Sequence, residues 1–210
     1  MKGPLDIHQH LLAHDVNHEI VRLHRSAYRA ATLAEALALP AHRCVATHPF
    51  HAATKAGDML AIVLAPSDEA IDVDGLARRL GDALRTRLGA KVSFTPAGST
   101  LVSSHTDYLA GHLAPLLLPA DVIVLATQQL VDLATAIVYT PAGDAGTALG
   151  LRALDLLVLT RAIVLPERRA ALRRPMTIDL DPARAAIQLD SPDDADARSP
   201  RRSGTARAAS

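Results

Sequence analysis

Cysteine is almost missing from this sequence: Cys44 stands alone among 210 residues, which excludes an internal disulfide framework. Lysine is nearly as scarce, with 3 residues against 19 arginines, a bias that points to a G+C-rich coding genome. There is no excess of either charge. Residues 1–166 carry 13 basic against 15 acidic side chains and residues 167–210 carry 9 against 7. Non-specific nucleic-acid binding works by neutralising phosphates, so a domain that grips RNA over its whole surface is excluded, while a small basic patch beside a site is not. Long apolar runs are missing too. The longest, 113–126, is interrupted by Pro115, Pro119 and Asp121 and falls short of the ~20 residues a membrane helix needs. No charged-then-apolar leader opens the chain. The expectation is a soluble, cytoplasmic protein with no membrane partner.

What is present is enough apolar material, 49% with mean hydropathy +0.15, to bury one good core. Taken in order, residues 5–15 read as a short amphipathic helix behind Pro4, with Leu5, Leu11 and Leu12 as its apolar positions, and 18–23 as a strand. The Ala- and Leu-rich stretch 28–39 predicts a helix stopped by Pro40. Residues 43–48 predict a short strand, 48–58 a loop and 59–64 a buried strand, the two strands pairing as a hairpin. In 72–88 the apolar residues Val73, Leu76, Leu80, Leu84 and Leu88 recur at spacings of three and four, with Asp at the start and Arg at the end, as an amphipathic helix requires. A strand at 91–94 follows, with Thr95-Pro96 as the N-cap and first turn of a helix reaching about 104. Beyond it come a strand at 122–126, a short helix at 128–133, paired strands at 136–140 and 147–151, a helix at 153–160 and a last strand at 162–165. The expected architecture is α+β: a mixed, mainly antiparallel sheet with packed helices in a single domain, 1–166. Residues 167–190 read as a weakly structured extension. Residues 191–210 lack apolar anchors to offset an ordering cost of about 1–2 kcal/mol per residue and read as a disordered tail.

The chain is organised around 105–119, HTDYLAGHLAPLLLP. Gly111 permits φ > 0 and close approach to the main chain, and Pro115 fixes φ and removes a donor. Such a loop can turn its amides on a carbonyl oxygen or an oxyanion, or it can be a tight turn between strands.

With these motifs in order, the N-terminal helix, DVNHEIVRLH, AEALALP, the segment at Arg43, YLAGHLAP and RALDLLVL, residues 5–166 resemble the YbaK/prolyl-tRNA synthetase editing-domain family of aminoacyl-tRNA deacylases. The resemblance implies metal-independent, cofactor-free hydrolysis of the ester joining a wrong amino acid to the 3′ end of a tRNA. The implied partners are the aminoacylated tRNA and an aminoacyl-tRNA synthetase. Carried across, the catalytic residues are Arg43, Gly111, Pro115 and Asp155, with His112, Leu113, Ala114 and Cys44 binding substrate. The family's Lys-Thr pair falls on Arg43-Cys44. A guanidinium keeps the charge but cannot act as a base, so electrostatic stabilisation survives the exchange and proton transfer does not.

Other groups stay open to two readings. His10, His14 and His18 repeat at i,i+4 like metal ligands, but His18 lies beyond the helix and no cysteine or carboxylate completes a set, so surface or partly buried histidines are the better reading and no metal is expected. Cys44 fits a buried small hydrophobe as well as a reactive group, Asp155 a helix-dipole carboxylate, and Lys55 a solvated loop lysine or a stand-in for the missing one. Three functions follow: a deacylase acting on tRNA bearing a small wrong amino acid, a hydrolase of another ester, or a catalytically degenerate binding or regulatory module that Arg43 favours.

Overall fold

In the computed structural model the described residues are 1–26, 30–54, 57–88, 92–109 and 111–165. Lys55, Lys91, and the extension and tail expected at 167–190 and 191–210 lie outside them. Helix α1 (Pro4–Ala13) starts with proline at its first position and with the Gly3 N–H donating to the Asp6 carboxylate at 2.9 Å. Its buried face is Ile7 and Leu11, whereas Leu5 and Leu12 are exposed, which corrects the expected stripe. Strand β1 (His18–Arg22) follows, then α2 (Ala30–Leu37) and a 3-10 turn, Ala41–Arg43.

The longest ladder is the antiparallel pair β2 (Val45–Thr54) and β3 (Gly57–Pro66), in register from Val45 opposite Pro66 to Thr54 opposite Gly57. The expected hairpin is therefore there, but β2 extends through most of what the sequence suggested was a loop. Pro49 is tolerated because its carbonyl, and hence the side its missing N–H would face, points toward β4 (Thr95–Pro96), only two residues long; Pro49 O accepts from Ala97 N at 2.9 Å. Thr95-Pro96 is thus an edge strand opposite His51 and Phe50, not a helix start, and α4 (Ser99–Thr106) begins after Gly98 instead. Residues 92–94, expected within a strand, carry no regular structure, and the pairing starts at Thr95.

Between these, α3 (Val73–Leu88) lies where its period predicts, with Leu76, Leu80 and Leu84 buried against Phe50, Ala61, Val63 and Leu125. Strand β5 (Ile123–Ala126) and β8 (Ile163–Val164) continue the sheet in parallel, giving the order β4-β2-β3-β5-β8. Helix α5 (Gln128–Asp132) leads to β6 (Ile137–Pro141) and β7 (Thr147–Arg152), which with β1 form an antiparallel sheet in the order β1-β7-β6; α6 (Ala153–Leu159) follows directly. A parallel bridge, Cys44 to Tyr139, links the two sheets.

Strand alternation sorts the interior. Ala61 and Val63 face α3, while Leu60, Ile62 and Leu64 face the main core, where they meet Ile7 and Leu11 of α1, Val138 of β6, Leu149 of β7 and Leu113 of the long loop. Buried on both faces, β3 reads as the continuous apolar run that a covered strand requires. The fold is α+β, a mixed sheet with packed helices.

Candidate functional site

The segment after α4 is built from the inside out. Asp107 ends the helix in a left-handed turn (φ +60°), and Tyr108 follows fully buried, its hydroxyl donating to Leu116 O at 2.8 Å. Burial, and then the Asp6 carboxylate, push the Tyr108 hydroxyl pKa well up, so it remains a donor. Gly111 adopts φ +85° and is exposed, with open space where a Cβ would stand. After it His112, Leu113, Ala114, Pro115 and Leu116 are all buried, Leu113, Ala114 and Leu116 joining the main core. The loop is therefore anchored by its side chains and turns on its glycine. The His112 N–H donates to Leu109 O at 3.0 Å and closes the turn at Gly111.

The N-terminus closes over the same region. Lys2 N donates to Asp107 O, and the Lys2 ammonium donates to Thr106 O at 3.0 Å and Leu117 O at 2.7 Å. Gly143, at φ +92° in the turn between β6 and β7, packs so closely here that a Cβ would come within 3.0 Å of Lys2 O and 3.1 Å of the Tyr108 ring. None of this was legible in sequence, because residues 2, 108 and 143 meet only through the fold.

Arg43 and Cys44 lie elsewhere. Arg43 is the last residue of the 3-10 turn, ahead of the strand on which it was expected, and its charge is felt at the Tyr139 hydroxyl, which donates to Glu19. That hydrogen bond to Glu19, with burial, raises the Tyr139 pKa, and Arg43 opposes the shift. Cys44 is fully buried with Leu33, Ala34 and Ala148, and burial pushes its thiol up to about 11, so it stays protonated at neutral pH. Val45, the next residue, joins the main core that also holds Leu113 and Ala114. Asp155 stands in the first turn of α6 and accepts from Arg152 Nε at 3.1 Å, at a partly exposed position.

A cleft of about 570 Å³ opens beside the loop. Pro115 belongs to both. The cleft lining runs on through 116–120 and the start of β5 and includes His10 of α1, His14 at its C-cap, Thr160 and Arg161. Through the strand register the cleft-lining Ile123, Val124 and Ile163 fall level with Phe50, Pro49 and His48, three to five residues along the sheet from Val45, about 10–17 Å at ~3.4 Å per residue. Arg43, in the 3-10 turn before that strand, is not among the residues that line the cleft.

The four histidines of the N-terminal segment form two pairs. The His8 and His18 rings are joined Nδ1 to Nε2 at 2.8 Å, and the His10 and His14 rings lie 4.3 Å apart. Among the described residues no three His, Cys, Asp or Glu side chains gather as a metal-holding group, and no helix is long and apolar enough to cross a membrane.

Solved structures share this fold. The hypothetical protein APE2540 superposes with a TM-score of 0.59 at 20% identity, over 75% of this chain and 95% of its own. A candidate trans-editing enzyme for prolyl-tRNA synthetase gives 0.58, also at 20% identity, over 79% of this chain and 97% of its own. No curated protein matches the sequence. The aminoacyl-tRNA editing domain matches residues 24–159, a span that runs from the end of β1 through α2 and the Gly111–Pro115 loop to α6. The chain belongs to the aminoacyl-tRNA editing domain family.

Proposed function

We propose that this protein is a trans-editing hydrolase that removes a wrongly attached small amino acid from tRNA by cleaving the ester at the terminal adenosine, without a metal and in the cytoplasm. The observation that carries the reading is the loop itself: a glycine at φ +85° with open space beside it, followed by side chains locked in the core and a proline. A substrate carbonyl can approach the main chain at Gly111, and donors held rigid by buried neighbours need no reorganisation as negative charge grows on that oxygen. In the reaction water adds to the ester carbon, the oxyanion is held by backbone amides at the exposed Gly111 end of the loop, and the ribose oxygen leaves with a proton, freeing amino acid and tRNA. His112, one of the few buried polar residues among those described, belongs to this loop and is assigned to substrate binding. Arg43 is assigned the charge that steadies substrate, and Asp155 holds the start of α6 through Arg152. A synthetase delivering the mischarged tRNA is the expected second partner. The test is a deacylation assay across a panel of mischarged tRNAs, in which at least one small amino acid is released well above the spontaneous rate.

One observation favours the degenerate alternative, a binding or regulatory module. The strand begins at Val45 and its first threonine, Thr47, is preceded by Ala46, while Arg43 lies back in the turn beside Tyr139 and Glu19. If the family's Lys-Thr pair belongs on the strand itself, this chain has alanine where the cation stands. That reading predicts binding of the aminoacyl end without turnover.

A further inference from the structure

The cleft next to the loop is lined mostly by apolar side chains, with three basic residues among them. His10, His14 and Arg161 all line it, and no carboxylate is among its lining residues. The neighbouring acids in sequence, Asp15 and Asp121, are both exposed and outside the lining. In a domain with more acidic than basic side chains this is a local reversal of sign. We propose that this cleft is a binding site for a nucleotide of single-stranded RNA, with the phosphate on His10, His14 and Arg161 and the base over the apolar lining.

Three features support it. A volume of about 570 Å³ lies in the range that takes a nucleotide-sized ligand. The two imidazoles, 4.3 Å apart and tilted by 52°, offer faces on which a base can stack and ring nitrogens that can hydrogen-bond a phosphate. The walls are pre-shaped: Leu117 at φ +55° and Arg161 at φ +50° are left-handed non-glycine residues, a costly conformation that persists where the surroundings hold it, here through Lys2 on Leu117 O and the Arg161 N–H on Val158 O. Pro115 joins cleft and loop, so a strand whose last ester reacts at the loop has its preceding nucleotide within reach of the cleft. That last step rests on the editing reading; the affinity for a nucleotide does not.

The experiment is fluorescence anisotropy of the full chain with a labelled single-stranded RNA of about six nucleotides ending in CCA, at low salt and about pH 6. His14 and Arg161 are exposed, so His14→Gln/Arg161→Gln is expected to melt like wild type. It should bind the RNA about tenfold or more weakly, with the slope of log affinity against log salt reduced by about 0.7 for each phosphate no longer neutralised. Equal binding by the double variant, or no RNA binding by wild type, overturns the proposal. Competition by cytidine monophosphate as effective as that by the RNA would reassign the cleft to a free nucleotide and overturn the strand. On a mischarged tRNA the variant should raise KM more than it does on an aminoacylated adenosine, which lacks the preceding phosphate. Loss of RNA binding in the variant with no turnover by wild type on either substrate would sink the editing reading and sustain the cleft.

Discussion

The ammonium of Lys2 donates to the carbonyl of Leu117 at 2.7 Å, and Leu117 is a bulky residue held at φ +55°. The same nitrogen donates to Thr106 O at the end of α4 and lies 5.7 Å over the Tyr108 ring. One cation thus ties the two ends of the loop, complements the negative end of a helix, and holds a backbone conformation that costs about 1–2 kcal/mol. Lys2→Met keeps the stem and removes the charge. We expect it to lower stability by about 1–2 kcal/mol, the scale for charged hydrogen bonds discounted for partial exposure, and Tm by a few degrees in a thermal melt. An unchanged Tm would show that the N-terminus does not brace the loop.

His48 gives a pH prediction. Alternation along β2 puts it on the face of Phe50 and Ala52, which packs under α3, and burial lowers its pKa from the ordinary 6.5. Among the described residues its Nε2 has no hydrogen-bond partner. Below 6.5 the unfolded chain takes up a proton here that the native chain refuses, so stability is full above 6.5 and declines as pH falls toward the native-state pKa. Melts at a series of pH values should show Tm falling through this window, and His48→Leu should flatten the fall. His10, lowered by burial and then by His14, acts in the same direction, which leaves a residual slope in the variant. A slope identical to wild type would contradict the assignment.

Most of the fold was legible where a period or a stop signal ran long enough. Leu76, Leu80 and Leu84 announced α3, Pro40 ended α2's stretch, and the pair β6 and β7 followed from the turn between them. The misreadings have local causes. Pro49 made a strand look like a loop, because its harmlessness depends on the short edge strand beside it. Thr95-Pro96 carries a helix-start signal but serves an edge, where a missing N–H costs nothing. On α1 the sequence offers Leu5, Ile7, Leu11 and Leu12, and only packing chooses Ile7 and Leu11. Of the candidate site, Gly111 and Pro115 were visible as a pair. The Lys2 brace, the Arg43 approach to Tyr139 and the meeting of His10, His14 and Arg161 join distant segments, which no local pattern encodes.

Gly111 separates strain from access. Open space surrounds its missing Cβ, so Gly111→Ala meets no clash and costs only the left-handed backbone, about 1–2 kcal/mol. Gly111→Val adds a branched side chain in the space a substrate carbonyl would use. We expect both variants to fold, with Ala keeping measurable turnover and Val losing it. Wild-type turnover in Gly111→Val would remove the loop from the mechanism.

Editing by this chain is tested most directly by the rate at which amino acid is released from mischarged tRNAs by wild type, Arg43→Ala and Arg43→Lys. We expect release from at least one tRNA bearing a small wrong amino acid, and a loss of one to three orders of magnitude in kcat/KM for Arg43→Ala, about 1.4–4 kcal/mol of transition-state stabilisation. Arg43→Lys should fall below wild type if the guanidinium fork is matched to its substrate, and rise above it if the site is a weakened one that regains a compact ammonium. No release by any of the three proteins, with aminoacyl-tRNA still bound, would contradict the enzyme and leave a binding module in its place.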